Sequence, residues 1–167
     1  MVMPPPWRKL GLLAHIVASV GWLGAVLASL VLAIVGMSAT DGHLVQAAYL
    51  VMPSLGWAML VPLSVLSLVT GLVQALGTKW GLVHHYWVII KLVMNLVATT
   101  ILLLYMQTLT ALESTARTWS GGDPAPLRDV SPALHSVGAL VLLLVAVVLS
   151  VYKPRGRTRY GHRRATV

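Results

Sequence analysis

Leu10 to Met37 reads LGLLAHIVASVGWLGAVLASLVLAIVGM, a run of 28 residues with no charged side chain. At 1.5 Å per residue, a helix of this length exceeds a hydrocarbon core of about 30 Å, so it spans a bilayer with some tilt. The apolar region of a cleavable leader is shorter and ends in a small-residue cleavage site, so the run is expected to remain as a first membrane helix. Three further apolar stretches follow, at about 45–76, 86–112 and 132–152. The expected fold is all-α: a four-helix transmembrane bundle running up and down, with a membrane domain over 10–152. An N-terminal arm (1–9) and a basic tail (153–167) flank it.

Composition agrees. The chain of 167 residues is 57% hydrophobic and 10% charged, with a mean hydropathy of +0.84, which is the membrane class. Cysteine is absent, which removes disulfides, thiolate metal sites and cysteine nucleophiles. The net charge of +8 has no nucleic-acid-reading motif beside it, and its basic residues flank apolar spans. Anionic lipid is therefore the expected partner of the basic tail, not nucleic acid.

Charge placement sets an expected orientation. With both termini on one side, that side carries Arg8, Lys9, Lys79 and the six basic residues of the tail, with no acid. The other side carries Arg117, Arg128 and all four acids, Asp41, Glu113, Asp123 and Asp129. The positive-inside rule then puts both termini in the cytoplasm. Two prolines, Pro53 and Pro62, in a second stretch too long for one straight span predict a kink or an interfacial first turn. Ser131-Pro132 predicts the start of the fourth helix, with serine as its cap.

Polar groups inside the membrane mark function by default, because a lysine at the bilayer centre costs roughly 2.5 kcal/mol or more. Lys79 to Asn95, KWGLVHHYWVIIKLVMN, carries Lys91, Asn95, His84 and His85. Helical spacing puts His84, Trp87, Lys91 and Asn95 on one face and turns His85 about 100° away. On the first helix, His15, Ser19 and Trp22 share a stripe, as do Ser64, Ser67, Gly71 and Gln74 on the second. The expected site is a polar cavity formed by helices 1 to 3 in the half nearest the termini. His15 facing His84 or His85 has the residue types of a bis-histidine haem b site, with Lys91 pairing a propionate or acting as a ligand. A cofactor-free structural or accessory subunit, as a homo-oligomer or beside a partner subunit, is the alternative. Copper handling through Met37, Met52, Met59, Met106 and His43 is a third. No catalytic group is identified: there is no nucleophile elbow, and no intramembrane carboxylate for hydrolysis or proton-coupled transport.

Three motifs occur in order: His15 with Trp22-x-Gly24, Pro62 with Thr70-Gly71-Leu72, and Trp87 with Lys91-Leu92. Over about residues 9–112 the chain resembles the membrane superfamily of copper-resistance D domains and four-helix bacterial protoporphyrinogen oxidases. In particular it is similar to a group of small four-span bacterial integral membrane proteins, with an actinobacterial type of composition. The resemblance implies haem b on His15 and a functional Lys91. It departs from the oxidases in two places. Leu30-Val31-Leu32-Ala33 stands where they continue into Leu-Pro-Arg, and Tyr105-Met106 stands where they carry a late histidine. The scaffold and haem, more than porphyrinogen oxidation, are what the resemblance implies.

Overall fold

The computed structural model describes residues 3–77, 82, 84–154, 156 and 158. Lys79 and most of the basic tail lie outside the described residues. Four helices are long and apolar enough to cross a membrane: α1 (Pro5–Ser38), α2 (Gly42–Gly77), α3 (Tyr86–Thr118) and α4 (Ser131–Tyr152). They form a ring in which α1 and α3 each pack beside both α2 and α4. Large aliphatics such as Leu13, Val31, Leu104 and Val151 point outward and stay uncovered. A bundle that shows its aliphatics to the outside and tucks serines within is built for a lipid solvent. The chain is an all-α four-helix bundle, compatible with a multi-pass integral membrane protein.

The helix ends differ in detail from the expected ones. α1 begins at Pro5, not near Leu10, with proline in its first turn. Proline suits that position because the first amides of a helix have no intrahelical acceptor to lose. The α1–α2 connection shrinks to 39–41, where the Asp41 carboxylate accepts a hydrogen bond from the His43 amide at 2.9 Å. At α4 the cap is not serine. Ser131 is already helical, and the Asp129 carboxylate accepts from its amide at 2.6 Å.

The prolines of α2 do not break the helix, which runs as one span from Gly42 to Gly77. Between them the helix widens into a π-turn, Gly56–Leu60, and the Val61 amide reaches back five residues to the Gly56 carbonyl. Pro62 has no N–H to donate to the preceding turn, so that turn can take the wider register at little cost. Gly56 is needed there for close packing. A Cβ at this position would sit 2.6 Å from the Met106 sulfur on α3, so the missing side chain is what lets α3 approach.

Two apolar clusters matter for the site. At the end of the bundle away from the termini (the distal end), Ala33, Val45, Tyr49, Met52, Met106 and Leu109 pack together. The 119–130 connection is held down on this cluster. The Tyr49 hydroxyl accepts from the Asp129 amide at 2.8 Å and donates to the Asp129 carbonyl at 3.2 Å. Arg128 donates to the Met37 and Ala39 carbonyls at the α1 C-terminus, where a cation also opposes the helix dipole. Mid-bundle, Trp22, Ala25, Val26, Leu60 and Leu143 form a second plug. Beyond it, toward the termini, the helices enclose space.

Candidate functional site: a polar cavity at the terminal end

That space is a cavity of about 830 Å³, within the range of small-molecule sites. All four helices line it, not three. α1 contributes His15, Ser19 and Trp22, α2 Ser67, Gly71 and Gln74, α3 Trp87, Lys91 and Asn95, and α4 Leu143, Ala146 and Ser150. Trp22 and Leu143 belong to the mid-bundle plug and close the distal side.

Hydrogen bonds stitch the helices around the cavity. Ser19 and Ser67 hydroxyls meet at 2.9 Å, joining α1 to α2. The Asn95 amide donates to the same Ser67 oxygen at 3.2 Å, joining α2 to α3, and Thr99 donates to Asn95 Oδ1 at 3.4 Å. Ser67 is thus the junction of three helices. Its replacement by alanine, Ser67→Ala, is expected to lower the unfolding free energy in detergent by about 1 kcal/mol, the scale of interhelical bonds in membrane bundles. Thermal unfolding followed by circular dichroism measures it, and an unchanged midpoint would mean that packing alone holds these seams.

His15 is held by Thr70, with Nδ1 to Oγ1 at 3.1 Å. The Thr70 hydroxyl proton is already engaged, since Oγ1 lies 2.5 Å from the Leu66 carbonyl one turn back. The threonine oxygen can therefore only accept from the imidazole. That assigns the proton to Nδ1 and leaves the lone pair on Nε2. Gly71 makes the fit possible, because a Cβ there would come within 3.1 Å of the His15 ring.

Lys91 is reached from a direction the sequence did not suggest. Its ammonium donates to Ser150 Oγ on α4 at 2.6 Å and lies 5.4 Å from the centre of the Trp87 ring. Ser150 in turn donates to the Ala146 carbonyl at 2.8 Å. The only hint was a serine inside the Leu/Val/Ala run of α4, a residue that commonly satisfies itself within its own helix. Around the mouth stand Arg8, Lys9 and Lys153, and no carboxylate is among the lining residues. The field inside is therefore positive.

Of the expected site residues, His15, Trp22, Lys91 and Asn95 come together. His84 and His85 do not line the cavity. The helical face assigned to His84 fails because α3 begins only at Tyr86, and His85 before it has extended backbone, φ −131° and ψ 132°. The 3.6-residue phase holds from Trp87 onward and not before. The His84 carbonyl instead accepts from the Thr158 amide at 3.0 Å, which brings the segment after α4 back beside the start of α3. The His85 ring lies 6.3 Å from that of Trp87.

The methionines expected for copper do not all come together. Met52 and Met106 are buried in the distal cluster, while Met59 faces outward. His43 packs edge-on against Trp119, and His135 stacks on Tyr105 at 3.7 Å. Among the described residues no group of three His, Cys, Asp or Glu could hold a metal ion. No protein-family model, no curated protein and no solved structure matches the chain.

Proposed function

We propose that the protein binds haem b in this cavity, with His15 as the axial ligand from the protein, and serves in redox or haem handling in a bacterial inner membrane. One observation carries the reading: an imidazole whose Nδ1–H is fixed on Thr70 lines a cavity with four cations and no carboxylate. A histidine that ligates a metal ordinarily donates its other nitrogen to an oxygen in this way. Haem also brings two carboxylates that need cations.

The donor set fits one axial bond rather than the bis-histidine pair, since His15 is the imidazole among the lining residues. Lys91, held over Trp87 by Ser150, would pair with a propionate, and Arg8, Lys9 and Lys153 would offer further cations at the mouth. Trp22 and Trp87 supply flat apolar surface. The plug of Trp22, Val26, Leu60 and Leu143 keeps water from the distal side. When bound, haem would supply one-electron exchange at iron.

The excess of basic residues at this end, against four acids at the other, supports a cytoplasmic placement of the cavity and of both termini. The oxidase activity of the resembled family gains no support: α1 is an unbroken helix to Ser38, without the proline motif late in that helix.

The test is the absorbance spectrum of detergent-purified protein from haem-replete cells. A Soret band with a reducible α-band is expected, and colourless protein overturns the reading. A second reading has its own observation. His15, Lys91 and Asn95 each already have a partner within the chain, as the buried polar groups of a cofactor-free accessory subunit would.

A further inference from the structure

The four seams of the bundle differ beside the cavity. α1 is bonded to α2 by His15–Thr70 and Ser19–Ser67, α2 to α3 by Ser67–Asn95, and α3 to α4 by Lys91–Ser150. Between α1 and α4 a hydrogen bond runs from Ser136 to Ser29 at 3.2 Å, in the distal half, and the mid-bundle plug supplies apolar contact. In the half that holds the cavity, this seam presents Ile16 and Val20 on α1 and Val147 and Val151 on α4. All four line the cavity, yet they are 49%, 63%, 49% and 69% exposed. Side chains that face both a cavity and the outside are the edges of an opening. This opening is aliphatic and lies within the membrane-spanning part of the helices.

The mouth at the end of the same seam has the opposite chemistry. Arg8 and Lys9 on α1 and Lys153 after α4 line it without a carboxylate. An aliphatic slot facing lipid, topped by cations at the helix ends, matches one kind of molecule: an acyl chain under an anionic headgroup.

We propose that the gap between α1 and α4 is a lateral window that admits the acyl chain of an anionic phospholipid from the surrounding leaflet. Its headgroup sits on Arg8, Lys9 and Lys153. The proposal rests on the reading of this cavity as a ligand site, and not on haem as the ligand. Lipid and haem would compete for the space.

Because the chain has no cysteine, single-cysteine variants carry one label each. Ala146→Cys lines the cavity, whereas Val148→Cys faces outward at nearly the same depth. Each full-length variant, labelled with bimane, is reconstituted in zwitterionic vesicles containing a minor anionic phospholipid. The brominated, quenching chains are carried either by the anionic lipid or by an equal amount of zwitterionic lipid. At Ala146→Cys the anionic lipid is expected to be preferred by about fivefold or more, the gain from roughly one lipid-facing cation. At Val148→Cys no such preference is expected. The preference should fall in Arg8→Gln with Lys153→Gln, and at high salt. Leu12→Cys, lining the cavity, and Leu13→Cys, facing outward, repeat the comparison on α1 should a label at Ala146→Cys disturb folding.

Equal quenching by both lipids at the cavity positions overturns the proposal, as does no quenching there. Added haemin separates the two readings. A lipid preference in protein that never shows a Soret band removes haem alone. A Soret band without the preference removes the lipid site alone.

Discussion

His15→Ala is expected to abolish the haem absorbance of the purified protein while leaving helix content and elution in detergent unchanged. The loss should be complete, because the variant has no imidazole left among the cavity-lining residues. The cost to the fold should be small, about 1 kcal/mol or less. Thr70 keeps its own bond to the Leu66 carbonyl, so no buried donor is stranded. Two companions sharpen the result. Thr70→Val leaves the imidazole but removes what orients it, and should weaken haem retention by about 10- to 100-fold. His84→Ala and His85→Ala should both keep the pigment, in contrast to a bis-histidine site. If His15→Ala instead keeps its Soret band, the axial assignment is wrong. If neither protein is coloured and only thermal stability changes, the accessory-subunit reading gains.

Gly36→Leu is expected to be the most damaging single change at the distal end. A Cβ at Gly36 would lie 3.0 Å from two carbons of the Tyr49 ring and 3.2 Å from its hydroxyl. The ring has no room to yield. It is 1% exposed, and its hydroxyl is held between the amide and the carbonyl of Asp129. A leucine must therefore push α1 off α2 or pull Tyr49 from the 119–130 connection. Overpacking and the lost hydrogen bonds together put the cost at about 2–4 kcal/mol. Thermal unfolding in detergent reads this out, with Gly36→Ala as a milder intermediate. An unchanged midpoint for Gly36→Leu would mean that the distal cluster is looser than its geometry. Haem absorbance of the folded fraction should not change, because the mid-bundle plug lies between this cluster and the cavity.

Much of the fold was legible in the chain. Four runs of apolar residues gave four helices, because in lipid each span must satisfy its own backbone and hydropathy reports that locally. The azimuths of Trp87, Lys91 and Asn95 were legible for the same reason: within one helix, spacing fixes direction. His84 shows where that stops. The spacing rule was carried two residues upstream of Tyr86, where the backbone is no longer helical. The π-turn after Pro53 was not legible either, because proline alone does not say whether a helix bends, breaks or widens. Nor was the close approach of Met106 to Gly56 legible, because the two are far apart in sequence.

The cavity divides the same way. Its polar side chains were identified by residue type, since His15, Ser67, Lys91 and Asn95 are costly in an apolar helix wherever they point. The chain by itself thus determined how many helices there are, which of their faces are polar, and that the basic residues gather at the end where the chain starts and stops. The tertiary structure alone decided that Ser150 holds Lys91, that Thr70 holds His15, that α4 forms the fourth wall of the cavity, and that Ile16, Val20, Val147 and Val151 face both the cavity and the outside. Hydropathy and period are properties of one segment. The rotation and spacing of each helix are set by the packing of all four, where Gly56, Gly71 and Gly36 let partners distant in sequence approach.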